Sequence, residues 1–176
     1  MVSSDEANED IRNMYGKTVE EYKPAIRNGT TVERFIGNDN DLYVRFYSES
    51  GNEYGRWVGN PKEFEGKTPA EIKDMLSLEK TPTNFRIVKP GQVKLERSIA
   101  AGPESGNPDG NGGAFQYREL EHVNHKACSD EYKLGDTFKM PKNPFKVSSA
   151  EPMLDPVIEP EPGVEDPEFF DPTIFF

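Results

Sequence analysis

Five glycines fall within twelve residues, at Gly102, Gly106, Gly110, Gly112 and Gly113, and three residues beyond the last stands one amide side chain, Gln116. A backbone this rich in glycine adopts positive φ and approaches a ligand without steric cost. Gln116 would be delivered at the start of the next strand, where its amide can both donate to and accept from a polar ligand. Arg45, in Val44-Arg45-Phe46-Tyr47, is the second candidate. An arginine between apolar neighbours on a strand points to one defined face, and its planar fork suits a pyrophosphate. Arg34, in Val32-Glu33-Arg34-Phe35, competes for that role. Trp57, the only tryptophan, offers a ring face to a cation, and Tyr54 can take the stacking role instead. Each residue also has an ordinary use: a long hairpin loop, an amide bonded to backbone, a surface ion pair, a core indole.

The strand-like Ile87-Val88-Lys89-Pro90-Gly91-Gln92-Val93 leads to Ser98-Ile99-Ala100-Ala101-Gly102-Pro103, and then to Gly112-Gly113-Ala114-Phe115-Gln116-Tyr117. This succession resembles the end of the catalytic domain of the tuberculosis necrotising toxin family, NAD glycohydrolases often found as toxin cargo. In that family a strand rich in Lys, Pro and Val runs into a Gly-Ile-Ala-Pro-like turn and a Gly-Gly-x-x-Gln-Tyr segment whose Gln is catalytic. Gly112 to Tyr117 matches the last segment position by position. The resemblance spans about Arg34 to Tyr117, half the chain. It departs at Arg97-Ser98, where the family tends to have a glycine, and in the acidic Glu104 and Asp109 of the loop.

The resemblance implies roles. Gln116 would orient the ribose of NAD while the neutral nicotinamide leaves, Arg45 would hold the pyrophosphate, and Trp57 or Tyr54 would stack on the cationic ring. Gly112, Gly113 and Tyr117 would contact substrate. An Arg on an early strand followed by Gly55-Arg56-Trp57 fits the family's order, with a gap a few residues longer than usual. No cofactor is implied beyond NAD as substrate. ADP-ribosyltransferases, to which the toxin fold is similar, use a glutamate near Glu119 for transfer to protein. On a strand the odd offset from Gln116 puts Glu119 on the opposite face, which favours hydrolysis.

Composition bounds these expectations. The 176 residues support one domain with tails, hydrophobic content is 34%, and 15 Gly and 15 Pro make loops plentiful. No apolar run spans a bilayer, and Met1-Val2-Ser3-Ser4-Asp5-Glu6 lacks the basic and apolar regions of a signal peptide. The single Cys128 excludes an intramolecular disulfide. His122, His125 and Cys128 match no zinc spacing, so no metal is expected. Net charge is −11, of which −8 lies in residues 149–176, leaving about −3 elsewhere. Such a chain lacks the basic face that nucleic acid demands.

The elements that must position the candidates follow from capping and alternation. Ser3-x-x-Glu6 opens a short helix ending at Gly16, and Thr18-x-x-Glu21 opens a second that Pro24 interrupts. Thr31 to Ile36 and Leu42 to Ser48 alternate, so the turn Gly37-Asn38-Asp39-Asn40 predicts a hairpin. Tyr54 to Val58 is a short strand. Thr68 caps a helix with Pro69 at its first position, Glu71 completing the box, and Ile72, Met75 and Leu76 on one face. Phe85 to Val88, Val93 to Ile99, Ala114 to Leu120 and Tyr132 to Met140 are further strands. Clustered strands predict an α+β domain with a small mixed or antiparallel sheet. The expected division is 1–29 helical, 30–147 catalytic, and 148–176 an acidic Pro-rich tail, extended and ending in Phe169, Phe170, Ile174, Phe175 and Phe176.

The leading expectation is an NAD glycohydrolase toxin or effector. It would be delivered or secreted into a target-cell cytoplasm, neutralised in its producer by an immunity protein, and loaded by a delivery or packaging partner through residues 149–176. The rivals are a mono-ADP-ribosyltransferase, a ribonuclease toxin using His122 or His125, and a non-enzymatic acidic interaction or packaging protein.

Overall fold

A computed structural model describes residues 1–49, 57–121 and 127–145. The chain divides into a unit of Met1–Pro141 and a second of Lys142–Phe176. The expectations placed on Tyr54, on His122 and His125, and on the acidic tail lie outside the described residues.

The first unit is α+β with antiparallel pairing throughout. Strands β1 (Val2–Ser3), β2 (Thr31–Ile36), β4 (Trp57–Val58), β6 (Lys94–Ile99) and β7 (Phe115–Glu119) form one sheet in the order β1-β2-β6-β7-β4. Strands β3 (Tyr43–Tyr47), β5 (Asn84–Lys89) and β8 (Ala127–Cys128) form the other, with β9 (Tyr132–Lys133) also on β5. A bridge joins the sheets where Val44 and Gly59 exchange backbone hydrogen bonds of 2.9 and 2.8 Å.

Two local readings are corrected. The segments 31–36 and 42–48 do form strands, but they are not a hairpin: β2 pairs with β6, and β3 with β5. The turn between them is instead the crossing from sheet to sheet. Gly37 donates to Val93 O at 2.9 Å, and a Cβ there would lie 2.7 Å from Gly91 O. Thr18-x-x-Glu21 does make both capping hydrogen bonds, at 3.0 and 3.2 Å, yet no helix follows them. Only one turn closes, Tyr22 N to Thr18 O, before Pro24 removes the next donor.

Helix α1 (Ser4–Met14) starts at Ser3, whose hydroxyl accepts from Glu6 N at 3.1 Å, and it buries Ala7 and Ile11 against Ile26 and Val32. The four-residue α2 (Pro61–Phe64), capped by Asn60, is not anticipated by periodicity, being too short to show any. Helix α3 (Pro69–Leu76) carries the complete capping box between Thr68 and Glu71. The predicted strand from Tyr132 to Met140 shortens to β9. Beyond it the chain turns so that Phe138 packs edge-on against Phe46 and Phe85.

Candidate functional site

Strand β7 separates two environments because its side chains alternate. Gln116 and Arg118 face α1 and the segment from Tyr22 to Ile26, whereas Tyr117 joins Tyr43, Val58, Val88 and Leu95 in a core cluster between the sheets. The whole strand from Gln116 to Glu119 is buried, so every polar group on it needs a partner.

Gln116 is 7% exposed and donates through Nε2 to Ala25 O at 2.9 Å and to Ser98 Oγ at 3.3 Å. Ala25 O can only accept, so the amide must turn its nitrogen toward it, and the carbonyl oxygen is directed the other way. Gln116 belongs to the lining of a cavity of about 250 Å³. Val44 and Phe46 of β3, Trp57 and Val58 of β4, and Leu76 and Leu78 at the end of α3 and just beyond it make its apolar wall. Lys23, Ser105 and Asn107 stand on its polar side.

The wall is held by local chemistry. Ser77 ends α3 in the left-handed region at φ 52°, uncommon for a residue with a Cβ. Its hydroxyl donates to Ala101 O, and its backbone carbonyl accepts from Asn107 Nδ2 at 2.6 Å. A 3-10 turn, Pro103–Ser105, leads into Gly106 at φ 93°. Gly112 serves close packing of this loop on α3 and on the segment after β6. Gly112 has φ 67°, an added Cβ would lie 2.2 Å from Ala101 O, and its amide is occupied by Asp74 O at 2.8 Å. The Gly113 amide is occupied by Ala100 O.

The expected site residues are thus divided. Gln116 and Trp57 share the cavity. Arg45 does not line it: Val44 and Phe46 point inward, so Arg45 between them points away and donates to Trp57 O at 3.0 Å. Burial holds its basicity below the usual arginine range. Arg34 bonds Asp10 at 2.8 Å and Glu96 at 2.9 Å on the α1 side of the sheet. Tyr117 lies across the sheet from Gln116 and lines a separate groove. Glu119, also buried, shares Tyr117's face of the strand.

Sequence reasoning missed Lys23 and Phe46. The second was legible, because period-two alternation sends Phe46 wherever Arg45 does not go. Lys23 stands in no regular element, and only the path of the Lys23-Pro24-Ala25 segment across the sheet brings it in. A buried charge network was also missed. Glu96 is fully buried and accepts from Arg118 Nε at 2.6 Å as well as from Arg34, while the Arg118 guanidinium lies 5.9 Å from the Trp57 ring centroid.

No family model and no curated protein matches the sequence. Among solved structures the chain is similar to Tne2, solved in complex with Tni2, at 19% identity and a TM-score of 0.49, over 62% of this chain and 97% of that one.

Proposed function

We propose that this chain is an NAD glycohydrolase that releases nicotinamide and leaves ADP-ribose. One observation carries the reading: a buried glutamine whose nitrogen is engaged by Ala25 O and Ser98 Oγ, in the wall of a cavity shared with the only tryptophan. Nicotinamide in NAD is cationic and departs neutral, so a strong general acid is unnecessary. What the site must supply is orientation of the ribose and stabilisation of the positive charge that develops on it. The Gln116 carbonyl is suited to accept from a ribose hydroxyl, and its partial negative charge favours the oxocarbenium-like sugar. Trp57 offers a ring face to the cationic base. Water then adds to the sugar carbon from which nicotinamide departs.

Transfer to protein is the less favoured reading, because Glu119 lies on the face of β7 away from Gln116. In the cell such an activity belongs to a toxin or effector that depletes NAD in a target cytoplasm and is held in check by an immunity protein in its producer. Residues 149–176 are the proposed loading segment. Purified chain incubated with NAD should release nicotinamide stoichiometrically with ADP-ribose, and Gln116→Ala should abolish most of that release. A wild-type protein that releases none overturns the reading, and label from NAD appearing on protein would establish transfer instead.

A further inference from the structure

Among the described residues, the cavity beside Gln116 has one charged residue in its lining, Lys23. Lys23 has no hydrogen bond or ion pair among the described residues, and its stem lies against the loop opposite: a Cβ on Gly106 would come within 3.3 Å of Lys23 Cγ. Beside it, Ser105 Oγ accepts from Asn107 N at 3.4 Å, which leaves the hydroxyl hydrogen to donate. Lysine and hydroxyl are the two donor types that hold a single phosphate group as a point charge plus a directed hydrogen bond.

Lys23 is also tied to the amide that defines the site. Pro24 fixes φ immediately after it, and the next carbonyl, Ala25 O, accepts both Gln116 Nε2 at 2.9 Å and Ala101 N at 3.1 Å. The backbone that carries the lysine is therefore held beside the Gln116 amide by one rigid residue and two hydrogen bonds to Ala25 O. Opposite the lysine the cavity is apolar and aromatic. At about 250 Å³ it is smaller than the ~300–1,000 Å³ typical of small-molecule sites, so a mononucleotide suits it better than a whole dinucleotide.

We propose that Lys23 with the Ser105 hydroxyl is an anion subsite at the mouth of the cavity, through which the protein selects a nucleoside 5′-phosphate over the same nucleoside without phosphate. The inference rests on the reading of Gln116 and Trp57 as the base and ribose site. In NAD this subsite takes the phosphate of the nicotinamide half and leaves the adenylate half outside the cavity.

The test uses Trp57 as reporter, since the chain has one tryptophan. Quenching of its fluorescence by nicotinamide mononucleotide and by nicotinamide riboside is followed by stopped flow, before turnover accumulates, with calorimetry as a second readout. The mononucleotide should bind roughly 10-fold tighter than the riboside, the scale of one hydrogen bond to a charged group. Lys23→Ala should weaken the mononucleotide alone and remove the difference, and Lys23→Arg should restore most of it. Lys23 is exposed, so both variants should fold, which circular dichroism checks. A preference that survives Lys23→Ala, no preference in the wild type, or no response to either compound overturns the subsite. A Lys23-dependent preference in a protein that does not hydrolyse NAD keeps the subsite and sinks the proposed activity. Hydrolysis without Lys23 dependence does the reverse.

Discussion

Of the concavities beside β7, one on the Tyr117 side and one on the Gln116 side differ in what their charges are doing. The groove on the Tyr117 side is the larger, about 550 Å³, and carries both signs: Glu33 pairs with Arg97 at 3.1 Å, and Asp41 and Lys62 stand at its walls. Arg97 also lies 4.7 Å from the Phe115 ring centroid. Two of its charges satisfy each other, and its tyrosines pack as core. The cavity on the Gln116 side is less than half that volume, holds a single lysine, and fixes one amide by two hydrogen bonds. Size is thus a poor guide. A ligand site needs polar groups that the protein has oriented but not consumed.

The comparison can be broken by experiment, beginning with the scaffold beneath the smaller cavity. Glu96→Ala leaves the Arg118 guanidinium buried with no carboxylate, and should cost about 3–5 kcal/mol in urea unfolding. It should also disturb Trp57, visible as a shifted emission maximum, because Arg118 lies over that ring. An unfolding midpoint within error of wild type would show that Glu96 does not hold this side of the sheet. Gln116→Ala should keep the fold and lower nicotinamide release by roughly 10²–10³, or about 2.7–4 kcal/mol in transition-state binding. Tyr117→Phe, one residue along but on the other face, should leave release unchanged. If Tyr117→Phe is the more damaging, the groove and not the cavity is the site.

A smaller effect comes from the helix that ends in the cavity wall. Thr68→Ala removes half of the α3 capping box and should cost about 1 kcal/mol of stability. Nicotinamide release at temperatures well below unfolding should be untouched. An effect confined to alkaline pH separates the groove. Burial pushes Tyr43, in the groove wall, from the ordinary tyrosine value of 10.0 up to about 12. The phenol is thus kept neutral in the fold while the unfolded chain ionises. Its contribution is fully present below pH 10 and is lost as pH rises through about 12. Alkaline denaturation should therefore be less steep over that interval in Tyr43→Phe, and equal slopes would show the phenol is not protected.

Helix α3 was readable in full because everything that makes it is local: Thr68, Pro69 and Glu71 act within one turn of each other. The longer strands β2, β3, β5, β6 and β7 were readable for the same reason, since alternation is a property of neighbours, whereas the two-residue β1 and β8 were not. That logic also placed Gln116 and Glu119 on opposite faces. Capping residues alone were insufficient at Thr18 and Glu21, where the box forms but no apolar stripe follows to be buried.

The pairing of strands was decided only in three dimensions. Thr31–Ile36 and Tyr43–Tyr47 look like hairpin partners in sequence, yet each has a better edge farther along the chain, on Lys94–Ile99 and Asn84–Lys89. The turn Gly37 to Asn40 bends in either case, and the edge that each strand finds in the fold selects the partner. The candidate site divides in the same way. The residue types at Gln116 and Trp57 announce hydrogen bonding and ring stacking by themselves. That Gly112 packs on Ala101 and that Lys23 reaches the cavity depend on contacts between segments eleven or more residues apart, which no local pattern encodes.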